Sequence, residues 1–183
     1  MVRRLALLLG LLAAALPAAG AQAFWIDVPF VAQPRDGCGA ASLSMLMQYW
    51  AQQQHQPASP SSNVAAIQRR LYDPAAHGIL ASSMQDYLRR HGFLVFALSG
   101  RWSDLEAQLR QGRPLIVALR PQGQSALHYV VIDGIDPARG LILMNDPAER
   151  KLLSEERAAF EKDWSATGNW MLLAVPAHPA SAP

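Results

Sequence analysis

Gln33-Pro34-Arg35-Asp36-Gly37-Cys38-Gly39-Ala40-Ala41-Ser42-Leu43-Ser44-Met45-Leu46-Met47 is the stretch on which the reading of this chain turns. Pro34 and Gly37 mark a turn, and the apolar residues that follow predict a helix from Cys38 to Gln53. Ala41, Leu43, Met45, Leu46, Met47 and Trp50 leave that helix little polar surface, so it is expected to be central and buried. Cys38, the single cysteine of the 183 residues, stands at its first position.

A thiolate, not a thiol, attacks carbonyl carbon, and a helix N-terminus favours the anion through its unpaired amides and its dipole. Gly37 and Gly39 on either side let a substrate backbone come close. A lone cysteine can equally be a small buried hydrophobe. What separates the two readings is whether a base and its partner exist elsewhere.

Five histidines are available. His55 lies in a polar Gln/Pro loop and His178 in the C-terminal tail. His91 precedes Gly92 at a helix end, where a cation complements the dipole without catalysis. His77, in a loop beside Gly78, stays open. His128 differs, because it opens the strand-like His128-Tyr129-Val130-Val131-Ile132-Asp133-Gly134. An imidazole base needs a partner on its other nitrogen. Asp146 follows the strand Leu141 to Met144, which is expected to pair with the His128 strand across the turn Pro137-Ala138-Arg139-Gly140. Asn145 is the adjacent alternative, while Asp133 and Asp136 lie too near the turn. Gln33, five residues before the cysteine, offers a side-chain amide that can join the Cys38 backbone N–H in stabilising an oxyanion.

Outward from this centre, Phe24 to Val31 reads as an edge strand carrying Pro29, and Gln54 to Ser62 as an exposed loop. Asn63 to Leu71 is amphipathic and helical. A further helix capped by Ser82 or Ser83 stops at Gly92, and Phe93 to Leu98 is strand-like. Ser103-Asp104-Leu105-Glu106 has the pattern of a capping box for a helix ending at Gly112. Strands are expected at Pro114 to Leu119, Leu127 to Ile135, Leu141 to Met144 and Trp170 to Val175. Glu155 to Trp164, capped by Ser154, reads as helical. Helices first and strands mostly after predict an α+β fold, a helical lobe packed on an antiparallel sheet.

The chain opens Met1-Val2-Arg3-Arg4 and continues through an apolar run, Leu5 to Leu16, to Ala21-Gln22-Ala23, the pattern of a signal peptide cleaved after Ala23. The run falls short of the ~20 apolar residues that span a bilayer. The whole chain holds 16 Lys and Arg against 14 Asp and Glu; residues 1–23 carry two arginines and no acid, so 14 of each remain. A balanced charge without like-charge blocks argues against nucleic acid as a partner. No cysteine or histidine pair has metal-ligand spacing and no phosphate loop is present, so no metal and no cofactor are expected. One domain is expected over residues 24–176, with residues 177–183 a loose Ala/Pro tail.

Gln33 … Asp36-Gly37-Cys38-Gly39-Ala40-Ala41, then His128-Tyr129-Val130-Val131, then Asn145-Asp146-Pro147, resemble cysteine peptidase family 39, the papain-like peptidases that process bacteriocin precursors after double-glycine leaders. The likeness runs from about Ile26 to Pro176, in order as well as in motif. It implies a papain-like α+β fold, Cys38 as nucleophile, His128 as base, Asp146 as the orienting acid and Gln33 as oxyanion donor. With the export signal, it implies a stand-alone periplasmic or secreted member acting on a peptide or protein. An amidase or acyl transferase with the same nucleophile, or a non-catalytic peptide-binding module on the same fold, are the alternatives.

Overall fold

The computed structural model describes residues 22–123 and 126–178. Nearly all of the expected signal segment, and residues 179–183 of the expected tail, fall outside these. Every strand pairing is antiparallel, and seven strands form one sheet. They are β1 (Phe24–Trp25), β2 (Phe93–Ser99), β3 (Leu115–Leu119), β4 (His128–Asp136), β5 (Leu141–Asn145), β6 (Leu153–Glu156) and β7 (Trp170–Pro176). The order across the sheet is β2-β7-β3-β4-β5-β6, with β1 lying against β4.

Helix α1 (Cys38–Gln53) has the predicted bounds, and Leu43, Met45 and Leu46 on it are fully buried. Burial of such side chains contributes about 1.5–3 kcal/mol each, which holds α1 against the middle of the sheet. Helices α2 (Val64–Leu71) and α3 (Ala81–Arg90) pack beside it, forming the helical lobe. The central strands are apolar on both faces. Ile116, Ala118, Tyr129, Val131, Leu172 and Ala174 point into the lobe. Their neighbours Leu115, Val117, Val130, Ile132, Met171 and Leu173 point the other way. There α4 (Trp102–Leu109) and α5 (Arg157–Ser165) cover them with Leu105, Leu109, Phe160 and Trp164. The element order suggested one helical lobe; the period-two alternation of two buried faces demands this second layer as well.

Several boundaries differ from expectation, each for a local reason. The expected strand from Phe24 to Val31 is only two residues long. Ile26 N–H still reaches the Asp133 carbonyl at 2.7 Å, but Val28 N–H turns back to the Ile26 carbonyl at 2.9 Å, and Pro29 has no N–H to continue a ladder. The rest is a strap that leaves the ladder, and the close pairing of β1 itself with β4 requires Gly134. A Cβ there would sit 2.7 Å from the Phe24 carbonyl oxygen.

Helix α3 starts at Ala81, so Ser82 and Ser83 lie inside its first turn rather than capping it. In α4 the Asp104 carboxylate accepts from the Arg101 N–H at 2.9 Å, so the helix begins before the predicted Ser103 box. Ser154 is no cap. It pairs with Leu143 in the edge strand β6, and α5 begins only at Arg157. Among the described residues no helix is long and apolar enough to cross a membrane.

Candidate active site

Gly37 is the residue before α1, and it carries no side chain to cap the helix, so the first-turn amides around Cys38 stay open. The turn into the helix is tight. Gly37 N–H donates to the Pro34 carbonyl at 3.0 Å, and a Cβ on Gly37 would come within 2.5 Å of the Pro34 ring. Gly39 is similarly confined, its added Cβ lying 3.1 Å from Ile79 and 3.5 Å from Tyr129. Cys38 is therefore held half-buried at a helix end pressed against β4.

His128 opens β4, opposite Leu119 of β3. Its Nε2 lies 2.8 Å from Asp146 Oδ1, and that oxygen also accepts the Ala148 N–H at 2.8 Å. With Nε2 engaged by the carboxylate, Nδ1 is the nitrogen left to face Cys38. Burial works against the imidazolium, but the hydrogen bonds it donates to Asp146 and Cys38 and the charges of both outweigh it, and His128 is pushed up to about 9. Burial would likewise raise Asp146. The hydrogen bond and charge of His128, with the amides of Ala148 and Glu149, hold its carboxyl below the usual value instead. The phenol of Tyr129, next to His128, is pushed up to about 12 by burial and then by the Cys38 charge, so it stays neutral.

Cys38, His128 and Gln33 line one cleft of about 600 Å³, whose walls come from the loop before α3 and the loop before β4. Gln33 is brought there by its N–H bond to the Pro147 carbonyl at 2.9 Å, one residue beyond Asp146. Its Oε1 is buried without a partner among the described residues. The fold thus gathers Cys38, His128, Asp146 and Gln33 around one cleft end.

The alternatives resolve differently. Asn145 is fully buried and occupied elsewhere, donating to the Val28 carbonyl at 3.1 Å and accepting from Leu152 N–H at 3.0 Å. It staples the strap to the β5–β6 connection. His77 does line the cleft, while His91 Nδ1 lies 2.7 Å from the Tyr87 carbonyl, on its own helix.

Sequence reasoning passed over Ser42. One turn beyond Cys38, its hydroxyl donates to the Tyr129 carbonyl at 3.2 Å, tying the cysteine's helix to the residue after His128. A serine among the buried positions of this helix was the available signal, because a buried hydroxyl requires a partner.

Residues 25–171 match the Peptidase_C39 like family. Among solved structures, a protein described as a C39-like peptidase from Bacillus anthracis aligns with a TM-score of 0.65 at 16% identity, over 83% of this chain and 98% of that one. A double glycine motif protease of an AMS/PCAT transporter, solved in complex with its leader peptide, aligns with a TM-score of 0.63 at 20% identity, over 83% and 94%. The peptidase domain of Streptococcus ComA, a bifunctional ABC transporter of a quorum-sensing pathway, gives 0.60 at 19%, over 80% and 97%. At these identities the likeness shows the papain-like C39 fold. No curated protein matches the chain significantly.

Proposed function

The chain belongs to the peptidase C39-like family, and on that premise we propose that it is a thiol peptidase hydrolysing a peptide bond through Cys38, His128, Asp146 and Gln33. The observation that carries this reading is the placement of His128, bound to Asp146 at 2.8 Å on one nitrogen with Cys38 at its other side.

The Cys38 sulfur attacks the scissile carbonyl carbon, forming a C–S bond and an oxyanion. The Cys38 backbone N–H and the Gln33 amide donate to that oxygen. His128, as imidazolium, gives its proton to the departing nitrogen, the C–N bond breaks, and a thioester remains. Water then attacks the thioester carbon, His128 takes its proton, and the Cys38 thiolate leaves. Asp146 fixes the ring orientation throughout and stabilises the imidazolium.

The substrate in this reading is a peptide or protein, and the chain acts after export, in the periplasm or outside the cell, as residues 1–23 suggest. Transfer to an acceptor other than water would use the same acyl-enzyme.

The test is turnover of a mixed peptide library by the purified protein, with Cys38→Ala beside it and circular dichroism to check the fold. Loss of all hydrolysis with the fold retained is expected. Hydrolysis that survives in Cys38→Ala would end the assignment.

A further inference from the structure

Two residues before Cys38, Asp36 holds a left-handed backbone, φ +53°, inside the turn closed by the Gly37 N–H bond to the Pro34 carbonyl. A glycine would take that conformation with less strain, and Asp is among the few side chains that tolerate it. The next residue has to be small, since a Cβ on Gly37 would come within 2.5 Å of the Pro34 ring. The turn thus fixes the backbone from which the Asp36 carboxylate projects, two residues before Cys38.

Asp36 lines the same cleft as Cys38 and His128, and among its lining residues it is the sole carboxylate. Beside Cys38, His128, Gln33 and His77, the cleft is lined by small or apolar residues that include Gly78, Leu80 and Leu127. The Tyr72 hydroxyl donates to Oδ2 at 3.4 Å, and Oδ1 has no hydrogen-bond partner among the described residues. No Lys, Arg or His lies within ion-pair distance among the described residues, in contrast to Asp27, Asp86 and Asp104, which are each paired. Arg35 and Arg69 share an adjoining depression with Asp36 and Tyr72, and they stay beyond that distance.

We propose that Asp36 sets the specificity of the site by receiving a cationic side chain of the substrate, a lysine or arginine within one or two residues of the scissile bond. This rests on the cleft being the place where a peptide meets Cys38, as in the function proposed above. Two residues of chain span at most about 7 Å, so the carboxylate reaches only substrate groups adjacent to the reacting carbonyl. A cation entering the cleft finds Asp36 as its one carboxylate partner, and a charge-assisted hydrogen bond is about twice as strong as a neutral one. Leu80 and Leu127, both large apolar residues left 40–45% exposed, would pack against the aliphatic stem of that side chain.

The test measures the rate at which Cys38 is alkylated by matched peptidyl chloromethyl ketones, in which the sulfur displaces chloride. One set carries lysine at the first or second residue from the reactive carbon; the other carries norleucine. The lysine reagent is expected to react about ten-fold faster with the wild-type protein, and Asp36→Asn, which keeps the shape and tolerates the same backbone, is expected to lose that preference. Asp36→Lys should turn it toward a glutamate reagent. Equal rates in the wild type, or a lysine preference that survives in Asp36→Asn, would overturn the proposal. Labelling needs no peptide turnover, so selective labelling of a protein that hydrolyses nothing would remove the peptidase reading and leave the subsite standing.

Discussion

His128 and Asp146 meet at 2.8 Å although 18 residues separate them, because the β4–β5 hairpin folds back with Val131 opposite Asn145. That register brings the first residue of β4 to the place where the chain leaves β5. Replacing Asp146 by Asn keeps the shape but withdraws the charge that favours the imidazolium. By analogy with other triads, kcat is expected to fall by about 10³–10⁴-fold, from the wrong tautomer rather than a broken fold. In NMR titration the His128 pKa should drop from its present value of about 9. An unchanged pKa would show that Asp146 does not act on the ring.

The same value sets an alkaline limit. The leaving nitrogen needs the His128 proton, so kcat/KM should decline as pH rises through about 9. Stability follows the same group. Its folded pKa lies above the ordinary 6.5, so its contribution is complete below 6.5 and is lost as pH rises toward 9. Urea titrations should show this slope in the wild type and a flatter one in His128→Gln.

Asp133 adds a second slope of the same sign, over a wider pH window. It is fully buried in β4 with neither carboxylate oxygen hydrogen-bonded among the described residues, and burial pushes it up to about 8 despite nearby Lys151. Between the ordinary 3.8 and about 8 the folded chain holds a proton that the unfolded chain has released. Stability therefore declines with pH across that window, by at most about 1.4 kcal/mol per unit. Asp133→Asn should remove this slope and be the more stable protein at pH 9, as measured by urea midpoint. A wild-type advantage at that pH would contradict the burial argument.

Gln33 is expected to act on the transition state more than on binding. Deleting one oxyanion donor typically costs about 10²–10³ in kcat, so Gln33→Ala should show that loss with KM little changed. A rise in KM alone would make Gln33 a binding contact.

Gly37→Ala tests the turn that aims the nucleophile. Its new Cβ would meet the Pro34 ring at 2.5–2.6 Å, and overpacking of this kind costs about 1–3 kcal/mol. The alkylation rate of Cys38 should fall further than the thermal midpoint suggests, because the thiol moves off the helix end. Adding Pro34→Ala should restore part of it.

Much of this was legible in one dimension. The bounds of α1 came from its apolar run between a Pro/Gly turn and a polar loop, and both Cys38 and His128 stood out as chemistry at the start of an apolar element. Strand β6 was not legible. Leu153-Ser154-Glu155-Glu156 has a helix-start composition, and only the free edge of β5 draws it into the sheet. The covering of the second sheet face by α4 and α5 was hidden for a similar reason, since pattern shows that a face is apolar but not what lies over it.

The contrast is sharpest at Asn145-Asp146. Sequence by itself determined that an amide and a carboxylate stand side by side where a strand ends, within reach of His128 by hairpin geometry. Which of them turns to the imidazole was decided only in three dimensions. Asn145 is the last residue of the β5 ladder, and its side chain is claimed by Val28 and Leu152, segments far away or across a turn. Asp146 lies one step past the ladder, where the chain bends and its carboxylate collects the Ala148 amide and His128. Adjacent residues of a strand face opposite ways, and the bonds that choose between them come from segments that only folding brings near.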